Sequence, residues 1–278
     1  AAAELGCAQA AASVLRSSLA RHLDGAGAGT LAVWDPFCGS GTLLLEALGI
    51  CLGAPPASPA MRLAFVDRPR FEEGRFREVV RSLELRPHPS IASLLLLGTD
   101  SEAHRVEAAS RNLGHFVRTL PRARFASAMA PHVEEVPSSP GALSPQALPC
   151  RVDFRHFRAP AWQMPPELQG RPTVILTKLP YGVKKARLNA ERAYDWFGAL
   201  VRTQAGAGTL LDVYCLSAHE DFKRRSGLEW RSELRFQHGA AQVDLLRWTG
   251  RAADVVASSR HHRLRAAGGR RRERARGD

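Results

Sequence analysis

The chain has 278 residues, enough for one large domain with a full core or for one domain with an extension. Hydrophobic residues make up 45%, as in a folded globular protein. No run approaches the roughly 18 apolar residues of a membrane helix, so no membrane span is expected. A formal net charge of +12 favours a polyanionic partner, most often nucleic acid. That signal is partly local, because Arg260–Asp278 alone carries eight arginines.

In chain order, Ala8–Leu23 reads as an amphipathic helix, with Val14, Leu15, Leu19 and Leu23 on one face. The glycine-rich Asp24–Gly29 breaks it. Leu31–Trp34 is a short buried strand, and Thr42–Leu52 is the helix that follows its loop. Leu63–Val66 is a further strand closed by Asp67, and Phe71–Leu83 has helical spacing. Ile91–Leu97 is the most apolar run and ends in Gly98-Thr99-Asp100. Ser101–Leu113 is expected as a helix capped by Asp100 or Ser101. Ala128–Pro149 is rich in Pro and Ser and reads as a loop insertion.

Cys150–Phe154 is a weak strand and Thr173–Thr177 a clear one, leading into Lys178-Leu179-Pro180-Tyr181-Gly182. Glu191–Thr203 is a helix and Thr209–Leu216 a strand. Trp230–Phe236 and Gln242–Trp248 flank His238-Gly239 as a hairpin. Alternating strands and helices closed by a hairpin predict an α/β fold: a doubly wound, mostly parallel sheet with an antiparallel edge. One domain is expected over residues 1–250, with the 128–149 insertion, and a disordered Arg-rich tail over 251–278.

Five scattered cysteines with no C-x-x-C pair argue against a disulfide framework and against zinc. Reduced thiols in an intracellular protein are expected, with the compartment unspecified. No metal site is expected.

The segment Asp35-Pro36-Phe37-Cys38-Gly39-Ser40-Gly41-Thr42 carries the first chemical signal. It is not a P-loop, since no Lys follows Gly41, and Leu44 stands where a dinucleotide fingerprint needs its third Gly. An acid before Gly-x-Gly suits a cofactor with a cationic amino-acid end and a nucleoside end, as in S-adenosylmethionine. Asp35 can attract the ammonium, and Gly39 and Gly41 permit close backbone approach. A second acid should meet the ribose hydroxyls. Spacing favours Asp67, about 20 residues being usual between such a loop and its acid. Asp100 competes, ends the stronger strand, and also fits a helix cap. Asp153 is a candidate for the adenine amino group, with Phe154 packing on the ring. Tyr181 is an aromatic that could stack on a flipped-out base at the sheet's carboxyl edge.

Together these segments resemble the Rossmann-fold RNA guanine-N2 methyltransferases. They are most similar to the methylase domain of the bacterial large-subunit ribosomal RNA enzymes and, next, to the THUMP-containing transfer-RNA methyltransferases. The first motif resembles Asp35–Thr42, and the second resembles Gly98-Thr99-Asp100-Ser101 with a helix ending near Arg111-Asn112. An inserted segment of the ribosomal group resembles Leu63–Phe71, and the terminal hairpin resembles Phe236–Gly239 with Val243–Leu246. The resemblance implies a seven-stranded Rossmann-like methyltransferase sheet with S-adenosylmethionine as cofactor. It implies cofactor contacts from Asp35, Pro36, Cys38, Gly39, Gly41, Thr42, Asp100, Ser101, Asp153 and Phe154. It therefore assigns Asp100, not Asp67, to the ribose. Lys178, Pro180 and Tyr181 fall on the catalytic motif, with Tyr181 stacking on the target guanine.

One position departs from the family. Lys178 stands where an Asn or Asp accepts a hydrogen bond from the guanine amino group, and an ammonium has three donors and no acceptor. Guanine-N2 transfer to ribosomal or transfer RNA is thus expected to be weakened or lost. A catalytically degenerate RNA-binding module, and adenine or protein methylation, remain the alternatives. Lys184, Lys185 and Arg187 are candidate phosphate contacts, and the tail would add salt-sensitive affinity for RNA. No THUMP-like RNA-capturing domain is evident, so capture is expected to use the tail, sequence outside this chain or a partner subunit.

Overall fold

The computed structural model describes residues 19, 22–24, 31–54, 72–82, 87–120, 145–157, 163–180, 187–219, 221–238 and 241–252. Seven strands form one sheet: β1 (Ala32–Asp35), β2 (Leu95–Asp100), β3 (Arg151–His156), β4 (Thr173–Lys178), β5 (Leu210–Ser217), β6 (Leu228–His238) and β7 (Ala241–Ala252). Their spatial order is β3-β2-β1-β4-β5-β7-β6. The first five are mutually parallel, and β7 runs antiparallel to both β5 and β6. This is the expected doubly wound, mostly parallel seven-stranded sheet with an antiparallel terminal hairpin.

Both faces of the sheet are covered, which explains the uninterrupted apolar runs of the parallel strands. Alternate residues of β1 go to opposite sides: Val33 packs with one core, Ala32 and Trp34 with the other. The first core is closed by α1 (Thr42–Leu52) and α3 (Ala103–Thr119) through Leu44, Leu48, Leu113 and Val117, joined by Leu19 and Leu23. The second is closed by α4 (Arg187–Ala205) and α5 (Asp221–Ser226) through Tyr194, Phe197, Leu200 and Phe222. A further helix, α2 (Glu73–Ser82), lies between α1 and β2 in the chain.

Helix α1 stops at Gly53, whose φ of +62° closes the helix and returns its N–H to the carbonyls of the last turn. Gly198 lies inside α4 because a Cβ there would sit 2.1 Å from the Ser226 carbonyl oxygen. That glycine sets how closely α4 and α5 approach. The strand order reverses between β1 and β4, which opens a crevice at the carboxyl ends of the parallel strands.

Several elements differ from the sequence reading. The apolar Ile91–Leu97 run divides into a 3-10 turn, Ile91–Ser93, and strand β2. The N-cap of α3 is Glu102, not Asp100 or Ser101, because the Asp100 carboxylate is engaged elsewhere. Helix α4 begins at Arg187, four residues before the expected start. Helix α5 was not anticipated: six residues with four charges carry no periodic apolar signal. The Leu63–Val66 strand, Asp67, most of the Ala8–Leu23 helix, most of the 128–149 insertion and the tail from 253 lie outside the described residues. No described helix is long and apolar enough to cross a membrane.

Candidate functional site

A cavity of about 480 Å³ opens at the carboxyl edge, at the reversal point between β1 and β4. Strand ends place its polar groups: Asp35 closes β1, Asp100 closes β2 and Lys178 closes β4, and all three line it. No group of His, Cys, Asp or Glu suited to a metal ion occurs among the described residues.

Asp35 is 1% exposed. Its Oδ1 accepts the Thr177 hydroxyl at 2.5 Å and the Phe37 N–H at 3.1 Å. Both bonds go to the same oxygen. Burial raises the carboxyl from 3.8 to about 7, against those two hydrogen bonds; Asp100 adds to the rise and the Lys178 charge opposes it. The site thus holds a buried acid whose ionised form is disfavoured by burial. A cation in the cavity would oppose that effect.

The glycine loop follows. Gly39 has φ +53° and Gly41 φ +80°, the left-handed region that glycine adopts without strain. A Cβ on Gly39 would meet nothing within 4 Å, so the loop leaves open space at the cavity. Gly41 is different, since a Cβ there would sit 2.8 Å from the Phe154 ring. The Gly39 N–H donates to Asp100 Oδ2 at 3.0 Å, and the Glu102 N–H donates to Asp100 Oδ1 at 3.0 Å. Asp100 thereby ties the loop of β1 to the start of α3. Each of its oxygens still has a lone-pair direction to spare. Thr42 opens α1 with its hydroxyl 3.1 Å from the Ser40 hydroxyl, and Ser101 lines the cavity beside Asp100. Cys38 also lines it, but burial and the two nearby acids push its thiol well up, so no thiolate is available. Pro36 is buried and does not line the cavity.

Four expected cofactor contacts do not line the cavity: Pro36, Gly41, Asp153 and Phe154. Asp153 was expected at the end of β3, but the strand runs on to His156 and Asp153 is registered with Leu97 inside the sheet. Arg155 Nε donates to Asp153 Oδ2 at 2.8 Å, and Arg151 Nη2 at 3.3 Å, so its charge is already met. Phe154 points to the opposite face and packs under the loop, 2.5 Å from where a Gly98 Cβ would be. It explains why positions 41 and 98 are glycine and does not face the cavity. The residue at the carboxyl end of β3 is His156, whose Nε2–H donates to the Ser101 carbonyl at 3.0 Å.

The opposite wall is made by Lys178, Leu179, Pro180 and one face of α4. The Tyr194 hydroxyl donates to the Pro180 carbonyl at 2.6 Å, and Tyr194 is fully buried. Phe222 packs edge-on against its ring at 5.4 Å. Tyr194 therefore fixes the turn after β4. Tyr181, Lys184 and Lys185 lie outside the described residues, and Arg187 is described only as the first residue of α4.

Other lining residues were missed by sequence reasoning. Phe37 lies inside the first motif and meets Trp196 edge-on at 5.4 Å. Glu102 and Arg105 stand three apart at the start of α3, 3.4 Å from each other, a spacing visible in the sequence. Asn189 comes from α4, and nothing in the sequence signals its approach to β1.

Comparison with known proteins adds four findings. Residues 9–123, under half of the chain, match the family model described as "UPF0020: RMKL-like, methyltransferase domain". An uncharacterised protein of Dictyostelium discoideum is 31% identical over 84 residues, which are 29% of this chain and 15% of that protein. A possible methylase of Clostridium difficile superposes with a TM-score of 0.49 at 17% identity, over 80% of this chain and 49% of that one. A predicted N6-adenine-specific DNA methylase of Listeria monocytogenes does so with 0.46 at 16%, over 77% and 46%. The chain thus spans about half the length of these two solved structures.

Proposed function

We propose that this chain is an S-adenosylmethionine-dependent methyltransferase domain whose target is RNA, with the N2 amino group of guanine as methyl acceptor. One observation carries the reading: the Asp35 acid, the glycine loop, Asp100 and Lys178 converge on a single cavity at the sheet's reversal point. The family match over residues 9–123 spans the first three of these and supports the methyltransferase class.

The residues present fit the cofactor. Asp35 is a buried acid at the cavity whose two hydrogen bonds both go to Oδ1, and its carboxylate is suited to an ammonium. Gly39 and the N-terminus of α1 leave room for close backbone approach. Asp100 keeps acceptor capacity for ribose hydroxyls after bonding two N–H groups. The bound cofactor supplies a methyl group on a positively charged sulfur, open to direct displacement. The chain's own part is to hold the acceptor nitrogen in line and to exclude water. The nitrogen lone pair would form the new bond as the methyl–sulfur bond breaks and its electron pair stays on sulfur as a neutral thioether, and the surplus N–H proton would pass to solvent after the transfer. Tyr181 would stack on the base, while Lys184, Lys185, Arg187 and the basic tail would hold phosphates.

Lys178 favours a second reading. It lines the cavity where the resemblance expects an acceptor, and its ammonium can only donate. A domain that binds cofactor and RNA without turnover would follow. Methylation of RNA by the parent and by Lys178→Asn, with nucleoside analysis of the product, separates the two. A slow parent and a faster Lys178→Asn yielding N2-methylguanosine support the transferase reading. A fast parent unchanged by the substitution overturns the role given to Lys178. Cofactor binding with no turnover by either form favours the binding module.

A further inference from the structure

An exocyclic amine needs an acceptor beside it, so that its lone pair can be turned toward the methyl group. The substrate side of the cavity is poor in acceptors. Among the side chains there, Lys178 donates only and Leu179, Pro180, Ala190 and Ala193 are apolar, while the Pro180 carbonyl gives one of its two lone pairs to the Tyr194 hydroxyl at 2.6 Å. On the opposite side the acids Asp35 and Asp100 belong to the cofactor's half, and the Ser40 and Thr42 hydroxyls face each other at 3.1 Å. One neutral amide lines the same space: Asn189, in the first turn of α4 and exposed. Ala193 stands one helical turn further on the same face and also lines the cavity. Two alanines beside the amide leave volume for a flat ring.

We propose that Asn189 is the specificity-determining residue of this site. Its Oδ1 accepts from the amino group of the target base, and its NH2 donates to a neighbouring ring acceptor, the task that Lys178 has given up. The inference rests on the RNA-guanine reading above. It makes α4, rather than the end of β4, the element that reads the base. Lys178 is then left to face the electron-rich oxygen or phosphate side of the nucleotide.

The test uses the full chain loaded with S-adenosylhomocysteine and two short single-stranded RNAs that differ at one position, guanosine or inosine. Inosine lacks only the 2-amino group. The parent is expected to bind the guanosine RNA about tenfold more tightly, the size of one good hydrogen bond. Asn189→Leu and Asn189→Ala should both abolish the preference, and Asn189→Asp should keep it, because the acceptor oxygen remains. All three should retain the parent's affinity for S-adenosylhomocysteine. A parent with no preference, or a preference that survives in Asn189→Leu and Asn189→Ala, overturns the inference while leaving the cofactor site intact. A parent that does not bind S-adenosylhomocysteine overturns the underlying reading itself.

Discussion

The two walls of the cavity are built by different means. The wall formed by β1, its loop and β2 is braced by short internal bonds: Thr177 and the Phe37 N–H hold Asp35, and Asp100 holds Gly39 and Glu102. Its acids are 1% and 6% exposed, and Phe154 packs against Gly41 and Gly98. In the wall formed by the end of β4 and α4, the buried Tyr194 hydroxyl links the helix to the Pro180 carbonyl. The family match covers the first wall and stops before the second. A rigid half that takes an invariant cofactor can be shared widely.

The largest expected effect breaks the second wall from behind. Gly198→Ala would drive a Cβ into the Ser226 backbone, 2.1 Å from its carbonyl oxygen, where no side-chain rotation gives relief. A loss of about 3 kcal/mol in denaturant unfolding is expected, at the upper end for overpacking. An unchanged midpoint would show that α4 and α5 can part without cost.

Gly41→Ala attacks the first wall. The residue combines φ +80° with a Cβ 2.8 Å from Phe154, so strain and crowding act together. Strain of about 1–2 kcal/mol predicts a cofactor affinity weaker by roughly 5- to 30-fold, read by calorimetry. Gly39→Ala has the same backbone strain but open space, and should cost less. Equal losses at 39 and 41 would remove Phe154 from the explanation.

Tyr194→Phe is the smallest change and the one that separates the walls. It deletes one hydrogen bond, worth about 1 kcal/mol, and leaves the ring packing with Phe222. Cofactor affinity should stay at the parent value while turnover on RNA falls several-fold. A parallel fall in cofactor affinity would mean that the two walls act as one unit.

Much of the first wall was legible in the sequence because its signals are local. Helix α1 ends where the reading placed its ends, from Thr42 to Leu52, since a helix-forming run lies between two glycine punctuations. Asp35 follows directly from strand, acid and glycine loop. The choice between Asp67 and Asp100 was not local, and spacing favoured Asp67. Asp153 failed for a related reason. Arg-Val-Asp-Phe-Arg-His carries no apolar run, so the sequence does not mark where β3 ends, and a two-residue error at that end moves an acid from the edge into the sheet. Tyr194 and Asn189 were invisible because their roles depend on where α4 packs, which no periodicity along α4 records.

Asp35 offers the most direct test. Its carboxyl is raised from 3.8 to about 7, so the empty fold prefers the protonated form. Its own contribution to stability is therefore complete at low pH and is lost as pH rises from about 4 through 7. An ammonium requires the carboxylate, so cofactor binding should reverse the preference. Calorimetric titration of the parent with S-adenosylmethionine between pH 6 and 8 is the decisive measurement. One site is expected, with affinity rising to about pH 7, levelling, and falling as the cofactor's own amine titrates near about 8. Asp35→Asn should bind at least tenfold more weakly, with the rise between pH 6 and 7 gone. No saturable binding by the parent, or an Asp35→Asn variant with the parent's affinity and pH profile, would contradict the account.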